Sequence, residues 1–533
     1  MTDTTSQAAR SIDFESDAAR ARIKARYRAE RRFRFYGLAA IGITTLFLIV
    51  VLSDIVAKGL PAFTQYVLVM KVDVDASLVD PKDARNPADI RATGDFDALV
   101  RNALRAQFPE VNARSERRQL DSILSTGAAD ALRELVTSDP ALIGQTVTVP
   151  VLLSSDADLY FKGIGTQVVR TAGRGTATPS GTSGEIEIAS TSGDFAIALA
   201  RVRQSDAAEP EALNEQMPSL LVAINGGMVK ITEIGADRAK GNVYLPLTSA
   251  APAAPGQWQV VTYATPEGNR RLNDRVVTWL ESLKERGEIE RRFNWRFFTS
   301  GDSREPELAG IRGALVGSAL TLLVTLVLCL PIGVAGAIYL EEFAPKNRVT
   351  EIIEININNL AAVPSIVFGL LGLAVFLNFF GLPRSAPLVG GLVLALLVLP
   401  TIIIASRAAL KAVPPSIKEA ALGVGASHQQ AIFHHVLPLA MPGIMTGTII
   451  GMAHALGETA PLLMIGMVAF IVETPLSITD AATVLPVQIF LWSDLPEIGF
   501  QARTAAAIMV LLAFLFLMNG TAIILRRRFE RRW

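Results

Sequence analysis

Cysteine and histidine are scarce in this chain: its 533 residues include one cysteine, Cys329, and four histidines. A single cysteine excludes a disulfide framework within the chain, and its place inside an apolar run indicates a small buried side chain. Net charge is lacking too, since 50 basic residues balance 50 acidic ones. Bulk charge therefore gives no reason to expect a nucleic-acid partner. The pattern Gly-x-x-x-x-Gly-Lys-Ser/Thr is absent, which excludes ATP binding through a P-loop.

Long hydrophobic runs, by contrast, are plentiful. Half of the residues are hydrophobic, which is too apolar for an ordinary soluble protein. A helix needs about 20 apolar residues to cross a bilayer, and six runs meet this requirement or come close to it. The sequence therefore predicts a polytopic α-helical membrane protein with six transmembrane helices. The runs are 37–53, 313–340, 355–383, 385–406, 436–472 and 504–525.

Basic residues flank the first and the last of these runs. Eight Lys or Arg residues lie between Arg20 and Arg34, and five Arg residues lie between Arg526 and Arg532. Because Lys and Arg near helix ends favour the cytoplasmic side, both termini are expected in the cytoplasm. The predicted parts are a basic N-terminal segment (1–35), a first transmembrane helix retained as a signal anchor (36–57) and a basic tail (526–533).

Residues 58–310 are soluble in character and, by this topology, extracytoplasmic. Apolar residues at helical spacing predict helices over 88–142. Alternating or β-branched segments predict strands: QTVTVPVLL, GEIEIAS, FAIALARV, LLVAIN, MVKITEI and QWQVVTYA. We further expect a flexible loop over 171–184 and a charged amphipathic helix over 270–292. The result is an α+β domain that has no histidine and no catalytic constellation, so it is expected to be structural or protein-binding.

Three of the four histidines, His428, His434 and His435, fall in one short stretch. Neighbouring histidines on a helix cannot both point to one side, and Cys, Asp or Glu partners at ligand spacing are absent, so a metal site is not expected.

The same stretch has the pattern of a short helix outside the membrane. Ser416 is expected to cap it, with Glu419 completing a capping box. Gly423 and Gly425 are expected to end it in a sharp turn. Such a helix, joined to two transmembrane helices by tight turns, could transmit force to a docked partner.

This stretch resembles the EAA loop of binding-protein-dependent ABC permeases. The matching residues are Glu419, Ala420, Ala421, Gly425, Leu437 and Pro438. His435 stands where the family usually has Ile. Segments 358–372, 455–463 and 485–492 are similar to PstA-type permeases of phosphate transporters, in which Arg commonly precedes the glutamate of Gly-Glu-Thr-Ala-Pro by four residues. His454 takes that place here.

The resemblance implies a type I ABC importer permease fold and several partners. Residues 311–525 would form the permease core, with the coupling loop at 415–438, and residues 58–310 would be a periplasmic insertion. The implied partners are a second permease subunit of PstC type, a cytoplasmic ATPase dimer that hydrolyses the ATP, and a periplasmic phosphate-binding protein. The chain would sit in the inner membrane and use no cofactor and no catalytic residue.

Glu458 lies in the middle of the fifth apolar run. A carboxylate within a membrane is costly, so it is expected either to act in gating or the pathway or to hold helices together. His454, one turn earlier, could pair with it. Thr459 and Pro461 are expected to unwind the helix locally.

The transported anion stays open at this point. No Lys or Arg lies deep in a predicted span, so basic groups for an anion are expected from the second permease. Molybdate or sulfate is an alternative to phosphate. An ion-coupled secondary transporter is less expected, because the sequence has no internal repeat, and a membrane receptor would need a cytoplasmic signalling domain.

Overall fold

The structure is a computed structural model that describes residues 17–81, 85–165, 167–202, 211–468 and 470–529. These residues fall into two units, one up to Lys58 and one from Gly59 onwards. The ends of the two predicted basic segments, 1–16 and 530–533, lie outside the described residues.

The first unit is a single helix, α1 (Asp17–Gly59), which continues to the first residue of the second unit. Its basic half and its apolar half form one uninterrupted helix, which contains residues 17–35 of the predicted basic segment and the whole predicted segment 36–57. Large apolar side chains of the second half, such as Ile41, Phe47 and Val50, are exposed. An apolar helix that is exposed all round fits a lipid environment.

The second unit opens with an α+β part, from Leu60 to Thr299. Its helices are α2 (Ala76–Val79), α3 (Pro87–Thr93), α4 (Phe96–Ala106), α5 (Arg114–Asp121), α6 (Asp130–Ser138), α7 (Ser155–Phe161), α8 (Asp194–Val202), α9 (Asp274–Glu285) and α10 (Arg296–Thr299), with 3₁₀ turns at Leu60–Phe63, Pro140–Leu142 and Glu267–Asn269. Its strands are β1 (Thr64–Asp73), β2 (Thr146–Leu152), β3 (Val168–Ala172), β4 (Ala177–Pro179), β5 (Glu185–Ser190), β6 (Glu211–Ala212), β7 (Pro218–Ile224), β8 (Gly227–Ile234), β9 (Arg238–Leu245), β10 (Gln259–Pro266) and β11 (Ile289–Phe293).

The strands form two antiparallel sheets. The smaller has the order β11-β1-β2, and the larger has the order β3-β10-β7-β8-β9-β5-β4, with β6 paired to β8. One core joins buried side chains of β1, such as Leu68 and Met70, with Leu104 of α4 and Trp279 of α9. The helices predicted over 88–142 are confirmed as α3 to α6.

Three predictions for this domain are wrong. FAIALARV belongs to helix α8, because Phe195, Ala198 and Leu199 are the buried residues and have helical spacing. The segment 171–184 is not a structureless loop, because it contains β4. The helix expected over 270–292 covers only α9. Gly287 (φ +75°) then turns the chain into β11.

Asp194 explains why the Gly-rich segment is ordered. Its carboxylate accepts hydrogen bonds from the backbone N–H groups of Arg174 and Gly175, both at 2.9 Å, and from the hydroxyls of Ser190 and Ser192. Burial alone would raise the pKa of Asp194, but these bonds lower it to about 2. The carboxylate is therefore charged in the folded domain at all ordinary pH values.

We expect Asp194→Asn to lower the free energy of unfolding of this domain by about 2 kcal/mol at neutral pH. Because the folded-state pKa is depressed, the contribution is present above pH of about 4, near the unfolded value, and is lost as the pH falls through about 2. Urea unfolding of the whole chain in detergent can be followed by fluorescence, since Trp258 packs beside Phe195. Asp237→Asn, at an exposed carboxylate, is the control. Equal loss in both variants at pH 7 would contradict the prediction.

Arg503 joins this domain to the helical core. It is 5% exposed and donates to the carbonyl oxygens of Ala309 (3.1 Å) and Glu307 (3.3 Å). The Ser125 hydroxyl donates to the Glu307 carboxylate at 2.7 Å, and Trp492 Nε1 donates to Asp302 at 3.0 Å. The α+β domain is therefore fixed to the core by buried polar contacts rather than hung on a linker.

The core follows from Arg312. Its helices are α11 (Arg312–Ile338), α12 (Arg348–Ala361), α13 (Ser365–Leu371), α14 (Pro387–Lys411), α15 (Pro415–Gly423), α16 (His428–Ala431), α17 (Leu437–Gly457), α18 (Ala460–Met464), α19 (Leu485–Ser493) and α20 (Ile498–Phe529), with π-helical turns at Tyr339–Phe343, Gly372–Phe379 and Ile432–Val436. Over the described residues, five helices, including α1, are long and apolar enough to cross a membrane. A sixth span results if the pair α12–α13 counts as one.

Two predicted spans are interrupted. The run 355–383 is not one straight helix, because α12 and the segment that begins with α13 meet at a bend of 104°. Pro364 stands at the bend and disfavours helix at the residue before it. The run 436–472 is also broken, since α17 ends at Gly457 and only the short α18 follows.

Small residues bring the long helices close together. A Cβ atom on Gly447 of α17 would lie 2.2 Å from the Cβ of Ala405 on α14, and one on Gly391 of α14 would lie 2.5 Å from Val324 on α11. Such close approach is typical of helix interfaces in membranes. It makes α14 the central helix, packed between α11 and α17.

Candidate functional site

The predicted coupling loop forms two short helices, α15 and α16. The capping box expected at Ser416 and Glu419 is wrong. Helix α15 begins at Pro415, its N-cap residue is Pro414, and no side chain caps it. A capping box does occur at the start of α16, where Ser427 Oγ accepts from the Gln430 N–H at 3.2 Å and Gln430 Oε1 accepts from the Ser427 N–H at 2.9 Å. Proline is favoured at the first position of a helix, and the helix therefore begins at Pro415, one residue before Ser416.

The turn between the two helices depends on Gly425. Its φ is +93°, so the sharp turn expected here does form at this glycine, and a Cβ at this position would meet nothing within 4 Å. Gly423 is instead the last residue of α15 and does not have positive φ. The turn exposes two apolar side chains, Leu422 (41%) and Val424 (86%).

The matched EAA-loop residues divide into an outer and an inner set. Glu419 and Ala420 are exposed, whereas Ala421 is buried at 6%. Leu437 and Pro438 are half-buried at the start of α17. Two of the three histidines of the stretch, His434 and His435, are exposed in the π-helical turn Ile432–Val436. Over the described residues, no group of three potential metal ligands occurs.

Two side chains hold the loop to the end of α11. Lys418 Nζ lies 2.5 Å from the Glu342 carboxylate. His428 Nε2 lies 3.0 Å from the Glu342 carbonyl oxygen, and its ring meets the Phe343 ring edge-on at 5.1 Å between centroids. Both α15 and α16 are thus tied to the π-helical turn Tyr339–Phe343.

The middle of α12 and the last turns of α14 join the same network. Arg407 on α14 donates to Glu354 on α12 at 2.8 Å and to Glu341 at 3.4 Å. Lys411 Nζ also lies 3.4 Å from Glu341. No local sequence pattern predicted these ion pairs. The one available signal was the Glu-Glu pair directly after an apolar run.

Glu458 lies between two helices rather than inside one. It follows the last residue of α17 and has extended backbone (φ −78°, ψ +120°). The local unwinding expected at Thr459 and Pro461 is confirmed, because α18 begins at Ala460. His454 Nε2 lies 2.8 Å from Glu458 Oε1, as the spacing predicted.

An open face of α17 leads to this break. The His454 side chain is 59% exposed and that of Glu458 is 18% exposed, while Ile450, one turn earlier, is 61% exposed. On the other side α18 packs against α13, where a Cβ on Gly369 would lie 2.7 Å from Pro461 Cα. The two helix breaks in the core are therefore near each other. Non-helical backbone at membrane depth is tolerated where it lines a cavity or meets protein.

Comparison with known proteins gives two family matches. Residues 330–532 match the family described as "Binding-protein-dependent transport system inner membrane component", and residues 20–170 match "Domain of unknown function (DUF3333)". Among solved structures, one of the methionine ABC transporter MetNI in an inward-facing conformation covers 42% of this chain and 96% of its own, with 17% identity and a TM-score of 0.33.

Relatives by sequence are permeases. The probable ABC transporter permease protein YqgI of Bacillus subtilis is 35% identical over 32% of this chain, and the match spans 58% of its own length. The phosphate transport system permease protein PstA 1 of Mycobacterium tuberculosis is 30% identical over 44% of this chain and 75% of its own length. PstA of Yersinia pestis is 31% identical over 39% of this chain and 70% of its own length. With three quarters of such a relative matched, the chain belongs to the PstA-type permeases of the binding-protein-dependent transport family.

Proposed function

We propose that this chain is the permease subunit of an ATP-driven importer of inorganic phosphate. The coupling element carries the proposal: α15 and the turn after it expose Leu422 and Val424, while Lys418 and His428 bind to Glu342 in the π-helical turn that follows α11. An element built in this way would transmit a movement of the docked partner to α11 through Glu342 and to α14 through the short connection Ala412–Pro414. The identity to proteins named phosphate transport system permeases supports phosphate as the substrate.

The partners follow from this assignment. A cytoplasmic ATPase dimer would dock on the exposed side of α15 and the turn after it, formed by Glu419, Ala420, Leu422 and Val424, and hydrolyse the ATP. Both termini would then be cytoplasmic and residues 58–310 periplasmic. A second permease subunit, of PstC type, would complete the pathway, and a periplasmic phosphate-binding protein would deliver the anion.

The pathway is proposed to pass the helix break at Glu458. The open face of α17 with His454, the unwound backbone at Glu458 and Thr459, and the nearby bend between α12 and α13 would border it. A carboxylate repels phosphate, so Glu458 is assigned to gating rather than to anion binding. Donors for the anion would come from the second subunit and from backbone N–H groups at the breaks.

Uptake of labelled phosphate tests the assignment. The chain, co-expressed with its permease and ATPase partners, is reconstituted in proteoliposomes with the binding protein outside and ATP inside. We expect phosphate uptake that needs ATP and is not suppressed by excess molybdate or sulfate. Uptake of either of those anions in place of phosphate would contradict the substrate, and uptake without ATP would contradict the class of transporter.

The tether between Lys418 and Glu342 gives a second test. Both side chains are partly buried, with 30% and 11% exposed, and Lys418→Glu replaces attraction by repulsion. A hydrogen bond to a charged group contributes about 1.5–3 kcal/mol, so uptake is expected to fall roughly tenfold. Glu342→Lys in the same chain should restore most of the rate. If the exchanged pair is as impaired as the single variant, the contact does not couple the two elements.

A further inference from the structure

The central strand of the small sheet is paired along only part of one edge. Strand β1 pairs with β2 from Val67 to Asp73, but with β11 only from Thr64 to Leu68. The Val69 N–H still donates to the Glu288 carbonyl at 2.8 Å. Residues that precede β11, the turn at Gly287 and helix α9, do not continue along β1. Among the described residues, the last part of β1 therefore has no paired strand on that side.

The ladder shows which backbone groups point to this open edge. Val74 bonds to Gln145 on the β2 side and Val69 bonds to Glu288 on the β11 side. Successive residues of a strand alternate between the two edges. Lys71 and Asp73 therefore direct their N–H and C=O groups to the open edge. The Asp73 carbonyl accepts from the Asp75 N–H at 3.1 Å. Among the described residues, the Lys71 N–H, the Lys71 C=O and the Asp73 N–H remain available for a partner strand.

A groove of about 700 Å³ lies along this edge. Helix α4 supplies the opposite wall with Asn102, Ala103 and Ala106, whose small or polar side chains leave room beside the strand. From Val69 to Asp73 the edge measures about 14 Å at roughly 3.4 Å per residue. The groove therefore matches an extended peptide of about four residues in length.

The groove favours a ligand rich in hydrogen-bond donors and positive charge. Its charged residues are Asp73, Asp75, Glu288 and Lys71. A hydrogen bond from the Ser77 N–H lowers the pKa of Asp75, which keeps that carboxylate charged. Two lining acceptors, Gln107 Oε1 and Glu288 Oε2, are buried and receive no hydrogen bond from the described residues. Buried acceptors without a donor are uncommon in folded proteins.

We propose that the open edge of β1 and helix α4 form a docking groove for an extended, lysine- or arginine-bearing segment of a partner protein. The segment adds a strand in line with β11, and its backbone bonds to Lys71 and Asp73. Its basic side chains donate to Glu288 and Gln107. Strand addition of this kind uses main-chain hydrogen bonds for affinity and the groove for specificity. The proposal concerns the α+β domain and is independent of the transported substrate.

A pair of variants separates the backbone from the side chain. Proline lacks the N–H group and is tolerated on a strand where that group faces an open edge. The probe is a fluorescent acetyl-Lys-Val-Lys-Val-Lys-amide peptide, titrated into the purified full-length chain in detergent and followed by anisotropy. We expect Lys71→Pro to weaken binding at least about tenfold and Lys71→Ala to change it less than about threefold. Equal weakening by both variants would overturn strand addition.

Peptide variants keep the test valid if Lys71→Pro fails to fold. N-methylation of alternate backbone amides should abolish binding in one register and leave it intact in the other, because only one set of amides faces β1. Methylation that has no effect in either register would overturn the proposal. Displacement of the peptide by spermine at an equal concentration of positive charge would also overturn it, as would the absence of binding at millimolar peptide concentration. Concentration-dependent self-association that Lys71→Pro abolishes would instead identify a second copy of this chain as the occupant.

Discussion

Gly425→Val is expected to lower phosphate uptake strongly, while the chain still inserts and accumulates in the membrane. The φ of Gly425 is +93°, a conformation in which a β-branched residue is an outlier. A left-handed conformation costs an L-residue at least about 1–2 kcal/mol, and the short α15 and α16 have few contacts to resist a change of the turn. The exposed pair Leu422 and Val424 would then no longer face the ATPase as the proposed function requires. Uptake is expected to fall at least about tenfold.

The same chain offers a matched control two residues earlier. Gly423 is also exposed, and a Cβ there also meets nothing within 4 Å, but its φ is not positive. Gly423→Val should therefore keep most of the uptake, and Gly425→Asn should be milder than Gly425→Val, because Asn tolerates left-handed backbone. Membrane abundance, ATPase co-purification and uptake are measured for each. Normal uptake by Gly425→Val would show that the turn is not needed.

The difference between these glycines shows what could be predicted from the sequence. Gly425 has the position of the glycine in the EAA pattern, so its turn was expected, but both glycines were assigned to it. The helix start was misplaced because Ser416 and Glu419 fit a capping box, while Pro415 was better suited to the first helical position. Local patterns thus predicted that the element exists and left its boundaries uncertain by a few residues.

The contacts that hold the site together could not be predicted from local sequence patterns. Glu342 and Lys418 are 76 positions apart in the chain, and only the packing of α11, α14 and α15 brings them together. The bend between α12 and α13 was missed although Pro364 is visible in the sequence, because an uncharged apolar run suggested one continuous span. In the α+β domain, FAIALARV fits the alternating pattern of a strand about as well as the spacing of a helix. The packing of Phe195, Ala198 and Leu199 against the large sheet favours the helix.

The break at Glu458 was expected, and the structure changes what its mutation should do. Inside a continuous helix, loss of the charge would leave a buried partner stranded, at a cost of about 3–5 kcal/mol. Here the partner, His454, is 59% exposed, and a polar contact with so exposed a partner contributes at most about 1 kcal/mol. Glu458→Gln should therefore leave the amount of folded chain in the membrane nearly unchanged.

Glu458→Gln is expected to lower the rate of phosphate uptake. Glu458 directly follows the C-terminus of α17 at the point where the backbone unwinds, and the helix dipole there disfavours an anion. The charge is thus held at an unfavourable place beside the proposed pathway, which fits a group whose contacts change between closed and open states. A shift of about 1.4 kcal/mol between two such states changes their ratio tenfold. We expect uptake to fall at least by that factor, with ATP hydrolysis continuing uncoupled.

His454→Gln and the double variant determine whether the pair or the carboxylate alone is responsible. If the contact between His454 and Glu458 controls the gate, each single variant and the double variant should lose uptake to the same extent, because the effects of contacting residues are not additive. If Glu458 acts through a second subunit, only variants that lack its charge should fail. Glu473→Gln, at an exposed carboxylate that follows α18 in the chain, is the control for loss of a charge as such. Full uptake by Glu458→Gln would remove it from the gate, and loss of the complex itself would mean that Glu458 holds helices together.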